Sequence, residues 1–178
     1  MPVRKVLGVA ALAAITLALA GCTSADPTPT KSTSSSALSS LQPVVPKKLT
    51  GATAKTATVN LANSIDALIS SPDIVYIDNH AELVPATKTV ASYYGVLRTI
   101  TVSSGLDPLQ QAEAMEKLLV AAGWKEDQTS TATKGKYLAA LSSDISNPEQ
   151  SWFLLLGGDS TVAKQPVVTV QLASPDLP

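Results

Sequence analysis

Hydrophobic and polar positions follow a different rhythm in successive stretches of this chain. From Val6 to Ala20 the residues are apolar except for Gly8 and Thr16. From Thr23 to Ser40, eleven of eighteen residues are Ser or Thr, with Pro27 and Pro29 among them. That segment buries too little surface to offset its chain entropy and is expected to be a disordered tether, continuing through Pro43, Pro46 and Gly51. Periodicity then sets in. Val59, Ala62, Ile65, Ala67, Leu68 and Ile69 fall near helical spacing and predict a helix over 53–70, stopped by Ser71-Pro72.

Ile74 to Ile77 reads as a short strand, followed by a polar surface turn at Asp78-Asn79-His80 and a second apolar run near Leu83-Val84 that Pro85 interrupts. Tyr93 to Val102, rich in β-branched and aromatic residues, predicts a strand. The next element is punctuated at both ends. Asp107 suits a helix N-cap, Pro108 its first turn, Gln110 the capping-box position and Gly123 a left-handed C-terminal cap. Between them Leu109, Ala112, Met115, Leu118, Leu119 and Ala122 form one apolar stripe for packing on a sheet. Lys136–Ser142, Ser151–Leu156 and Val167–Leu172 are β-like runs joined by short links, which favours an antiparallel meander. Trp152 to Leu156 is apolar on both faces, as a central strand would be, whereas Val168, Val170 and Leu172 alternate with Thr169 and Gln171. The expected fold is α+β and two-layered, with amphipathic helices on a mostly antiparallel sheet.

Arg4 and Lys5 precede the apolar run, which at fifteen residues falls short of the roughly twenty needed to span a bilayer. It is a signal-peptide pattern, and it ends in Leu19-Ala20-Gly21-Cys22. These four residues resemble the lipobox of bacterial lipoproteins. The resemblance implies a diacylglycerol thioether on Cys22, cleavage by lipoprotein signal peptidase between Gly21 and Cys22, and a new N-terminus often acylated again, for example with palmitate. A thiol is the group able to form the thioether, and small residues at 20 and 21 let an extended backbone enter a protease cleft. Two or three acyl chains, each buried CH₂ contributing about 0.8 kcal/mol, hold a protein stably at a membrane. The expected organisation is a signal peptide over 1–21, a lipidated N-terminus and tether over 22–52, and one domain over 53–178.

Composition narrows the function classes. Of 178 residues, 45% are apolar and 15% charged, which suits a globular domain. Loss of Arg4 and Lys5 with the signal peptide leaves eleven basic against fourteen acidic side chains, a balance of −3. Attachment is then expected through lipid and not charge, and nucleic acid is not expected as a partner. One Cys and one His leave little for a disulfide framework, a Cys/His metal site or a Cys–His dyad.

The candidate chemistry is correspondingly thin. His80 lies among Asp78 and Glu82, a setting able to orient an imidazole, yet the chain has no second His to complete a site. No Gly-x-Ser-x-Gly elbow or Ser-x-x-Lys box accompanies the abundant Ser and Lys. Gly157-Gly158-Asp159 lacks the Lys-Ser/Thr of a phosphate loop and is expected to be a hairpin turn. Glu126-Asp127 with Asp144 or Asp159 lacks regular calcium-loop spacing and reads as solvated turn carboxylates. Trp124 and Trp152 fit a core better than a sugar platform, Trp124 by folding back over the helix cap before it. No catalytic residue, metal or cofactor is expected.

Ala122-Gly123-Trp124, Gly135-Lys136-Tyr137-Leu138 and Ser174-Pro175, in this order of strand, helix and strands, resemble small uncharacterised actinobacterial cell-envelope lipoproteins over Tyr93 to Pro175. Where some of these carry a Cys after the final Ser-Pro, this chain has Asp176, so no terminal disulfide is implied, and the group implies no activity. The resulting expectation is a lipid-anchored protein on the extracytoplasmic face of the cell membrane, monomeric by default. Its expected role is non-catalytic, in binding or assembly with an envelope protein. The alternative is a carrier of a lipid or small apolar ligand in a helix–sheet pocket, and less favoured is an envelope hydrolase.

Overall fold

The computed structural model describes residues 38–46, 48–162 and 165–178. The expected signal peptide, the lipobox residues Leu19, Ala20, Gly21 and Cys22, and most of the tether lie outside the described residues.

Helix α1 (Gly51–Asp66) begins at Gly51 rather than Thr53 because Thr50 and Thr53 close a reciprocal capping box, each hydroxyl accepting from the other's backbone N–H. It ends at Asp66 rather than Ser70, where Leu68 and Ile69 turn back with hydrogen bonds to Ile65 and Asp66. The packed part of the chain starts earlier than residue 53. Leu41 is buried, and its carbonyl accepts the indole N–H of Trp124 at 2.8 Å, while the indole of Trp152 donates to the Val44 carbonyl at 3.3 Å. Those two aromatic donors pin residues assigned above to the tether.

Strand β1 (Ile74–Val84) is one continuous strand, so Asp78-Asn79-His80 is not the expected turn. Its polar residues are accommodated because β1 stands at the sheet edge, with Asp78, His80 and Glu82 pointing away from the helices. Strand β2 (Tyr93–Val102) matches the predicted span. Helix α2 (Pro108–Ala121) is capped by the Asp107 carboxylate, which accepts from the N–H groups of Leu109 and Gln110. It closes on Gly123 at φ 111°, with Gly123 donating to Val120 and Trp124 to Leu119. This is a Schellman arrangement that turns Trp124 into the core.

Strand β3 (Lys125–Thr133) was not anticipated: eight of its nine residues are exposed, so it carries no apolar signal. Strand β4 (Lys136–Ser142) is as predicted. Strand β5 (Phe153–Asp159) runs through Gly157-Gly158-Asp159, which is therefore strand and not a hairpin turn. A Cβ on Gly158 would lie 2.3 Å from the Pro108 carbonyl oxygen, so the bare backbone at this point lets the start of α2 settle on the sheet. Strand β6 (Val167–Ala173) completes the order β1-β2-β6-β5-β4-β3, antiparallel throughout.

Both helices pack on one face of this sheet, α1 chiefly over β2 and β6 and α2 chiefly over β5 and β4. Alternate residues of the central strands, including Ile100, Leu141, Leu154, Leu156, Val170 and Leu172, fill the interlayer space against Ile65, Met115 and Leu119. The fold is thus α+β, a six-stranded antiparallel sheet with helices on one side.

Candidate binding face of the sheet

With both helices on one side, the opposite side of the sheet is left uncovered, and strand register decides what it presents. Cross-strand pairing sets His80, Leu97, Gln171, Leu155 and Ala140 in one row, and Glu82, Gly95, Ala173, Phe153 and Ser142 in the next. Leu97, Phe153 and Leu138 remain 39%, 37% and 51% exposed there. These are outward positions on sheet strands, where charged or Thr side chains would meet water at lower cost.

Small residues turn this apolar surface into two grooves. The first, of about 480 Å³, has Gly95 and Ala173 along its floor, Phe153 and Leu97 as apolar walls, and His80 and Glu82 at its β1 end. The second, of about 440 Å³, lies over Gly157, with Leu138 and Leu155 beside Thr131 and Thr169. Gln171 borders both and forms the ridge between them. A polar contact marks each far side: His80 Nε2 to Glu82 Oε1 at 3.3 Å, and the ion pair of Lys136 Nζ with Asp159 Oδ2 at 3.1 Å. Two hydrogen bonds from Thr161 hold the Asp159 carboxyl below its ordinary range, with Lys136 assisting.

The His80 side chain is 69% exposed, and the Glu82 carboxylate is in contact with it. The carboxylates considered for calcium are dispersed: Glu126 and Asp127 lie on β3, Asp144 accepts from the hydroxyl and N–H of Ser146, and Asp159 from those of Thr161. Among the described residues no three His, Cys, Asp or Glu side chains form a group able to hold a metal ion. Trp124 and Trp152 are both buried core residues, so neither stacks on a ligand.

Two polar clusters lie on the helix side instead. Beneath α1, Arg98 pairs with Asp66 at 3.2 Å and donates to Asn63 at 2.9 Å, and Asp66 Oδ1 and Arg98 Nε have no hydrogen-bond partner among the described residues. Burial pushes the Asp66 carboxyl up, against the opposing pull of Arg98. Beneath α2, the Tyr137 hydroxyl donates to Glu116, whose carboxyl is raised by burial and by the nearby Glu126 and Glu113. Both clusters tie a helix to the sheet.

No protein-family model, curated protein or solved structure matches this chain. Among the described residues no helix is long and apolar enough to cross a membrane. The functional reading therefore rests on the residues themselves. The grooves were not foreseen from the sequence. Their signal was the run of outward apolar positions, Leu97, Leu138, Phe153 and Leu155, on strands whose other face already supplies the core.

Proposed function

We propose that this chain is a lipid-anchored cell-envelope protein, attached through Cys22, whose domain works without catalysis by docking a largely apolar, weakly charged segment of an envelope protein on the open face of its sheet. The observation that carries the docking role is the apolar open face itself, floored by Gly95, Ala173 and Gly157. The anchor rests on Leu19-Ala20-Gly21-Cys22 at the end of an apolar run. The Ser/Thr- and Pro-rich composition between Cys22 and the packed residues is that of a spacer between an anchor and a domain. A second reading is kept because the 480 Å³ groove falls within the roughly 300–1,000 Å³ of small-molecule sites: a lipid or apolar ligand carried on the same face. The cavities between helices and sheet, about 480 Å³ beside α2 and about 410 Å³ beside α1, are lined by charged groups, Glu113, Glu116, Lys117 and Glu126 in the first and Asp66 and Arg98 in the second, and suit an apolar ligand less well than the open face.

The test places a photo-crosslinking amino acid at Leu97 or Leu138 of the full chain in intact cells, with exposed Val120 on α2 as control. A discrete protein adduct at the sheet positions and none at Val120 supports docking. Adducts to lipid favour the carrier, and equal labelling at all three positions overturns both readings. Separately, Cys22→Ala should abolish acylation of the chain, and globomycin should block its processing while the acylated precursor stays in the membrane; a chain whose acylation and processing neither treatment changes would remove the anchor from the proposal.

A further inference from the structure

The two edges of the sheet are built differently. β3 is polar along its length, carries Lys125, Glu126 and Asp127, and departs from regular register with β4 at two places. Those are features by which a sheet edge avoids further pairing. β1 also carries charge, at Asp78 and Glu82, and shifts register near Val75, but its register is unbroken over Tyr76–Glu82. It pairs regularly with β2 there, stands at the end of the sheet, and leaves its outer backbone groups unpaired by any other strand among the described residues. Tyr76 is 61% exposed, and Val75 and Leu83 are exposed as well.

The order of side chains along β1 is self-complementary. A second copy running antiparallel beside it, with the two-fold axis through Asn79, sets Asp78 opposite His80 of the other copy, Tyr76 opposite Glu82, Ile77 opposite Ala81 and Val75 opposite Leu83. Residues directly opposite share a face, so each pairing brings together groups on the same side of the joined sheet. Since His80 already contacts Glu82 within one chain, the open side gains a polar chain from Tyr76 through Glu82 and His80 to Asp78, repeated twice by symmetry. Neighbouring registers that keep the faces matched are worse. An axis through Asp78 sets that carboxylate against its own copy, and an axis through His80 sets Asp78 against Glu82. An axis through Ala81 leaves Asp78 against Val84 and Asn79 against Leu83.

We propose that the partner of the β1 edge is a second copy of this chain, joined antiparallel about Asn79 into a closed two-fold dimer with one continuous twelve-stranded sheet. The unfavourable β3 edges end the assembly at two chains. Because the first groove reaches His80 and Glu82, pairing brings the two open faces together across the junction. This inference does not depend on lipidation or on what the open face binds, and it departs from the monomer assumed by default.

Disulfide trapping of the full chain tests it, with Cys22→Ser throughout so that each introduced thiol is the only one. Directly opposite residues of antiparallel strands have Cα atoms about 4.5–5.5 Å apart, within disulfide reach. Asn79→Cys should give a disulfide-linked dimer under mild oxidation. Tyr76→Cys alone and Glu82→Cys alone should give no disulfide-linked dimer, and a mixture of the two should crosslink. In the Asn79→Cys chain, His80→Glu places carboxylates opposite one another at both symmetry-related contacts and should lower the dimer yield roughly threefold to tenfold; adding Asp78→Lys should restore it. The proposal is overturned if Asn79→Cys remains monomeric, if either single variant crosslinks as readily as the mixture, or if the charge reversal and its compensation leave the yield unchanged.

Discussion

Gly157 and Gly158 are neighbours on β5 that face opposite sides of the sheet, and alanine at each should have opposite effects. At Gly158 an added Cβ would lie 2.3 Å from the Pro108 oxygen, 2.8 Å from the Pro108 carbonyl carbon and 3.0 Å from the Leu109 Cα. An ordinary C···O approach is about 3.3 Å or more, so the first turn of α2 must retreat by about 1 Å. All three obstructing atoms are backbone, and the same turn carries the Asp107 cap and leads into the fully buried Ala112 and Met115. Overpacking of this kind costs about 1–3 kcal/mol, offset by about 0.4–1 kcal/mol because alanine restricts the unfolded chain. A net loss of about 1–2 kcal/mol is expected, or roughly 2–8 °C in Tm for a domain of this size. At Gly157 the nearest atoms are 3.6 and 3.7 Å away, an ordinary contact, and its φ is not positive. There the entropic gain stands alone, and Gly157→Ala should stabilise by about 0.4–1 kcal/mol. Urea denaturation followed by the fluorescence of the buried Trp124 and Trp152 reads both variants. Indistinguishable midpoints, or a Gly158→Ala chain as stable as the wild type, would refute the close approach of α2.

Glu116 holds its proton more tightly folded than unfolded, so the stability it contributes is greatest below the ordinary carboxylate range and falls as pH rises through its raised folded value. Glu116→Gln keeps an acceptor for Tyr137, and its stability relative to the wild type should improve steadily from about pH 4 to about pH 7; a pH-independent difference in denaturation midpoint would contradict this. Arg98→Met strands the buried Asp66 carboxylate and should cost about 3–5 kcal/mol in urea unfolding, most of it recovered by adding Asp66→Leu; equal losses in the single and double variants would argue against the pair. Trp124→Phe removes the donor to the Leu41 carbonyl, so stability should drop by about 1–2 kcal/mol and trypsin cleavage after Lys48 should accelerate, whereas unchanged cleavage would show that the indole does not secure this segment.

Elements were legible where local chemistry marks their ends or distinguishes their faces. Asp107, Pro108 and Gly123 bracket α2 because a helix leaves unsatisfied N–H groups at one end and needs a left-handed residue at the other. In β6, Val168, Val170 and Leu172 alternate with Thr169 and Gln171 because one face meets helices and the other does not. β3 fails on the same reasoning, since Lys125 to Thr133 is a strand by virtue of its hydrogen bonds to β4 and has almost no buried side chain to announce it. β1 was broken in two because Asp78, Asn79 and His80 look like a turn when read alone. Only a place at the sheet edge, with His80 paired across to Leu97, makes that polarity compatible with a strand.

The open face was hidden for a different reason. Its first groove joins Gly95, Ala173 and Phe153, which are remote along the chain and adjacent only through the β2–β6 and β6–β5 registers. One strand nevertheless held a usable clue. Phe153 to Leu156 is apolar on both faces, a mark of a central strand, and β5 is flanked by β4 and β6. Central position accounts for the backbone pairing, but in a sheet with helices on one side only it accounts for just one apolar face: Leu154 and Leu156 meet the helices, whereas Phe153 and Leu155 do not. A strand apolar on both sides in a fold that covers one side has an unmatched face, and the outward Leu97 and Leu138 extend that mismatch across the sheet. The surplus of outward apolar residues, more than any single polar group, is what makes docking the reading best supported for this domain.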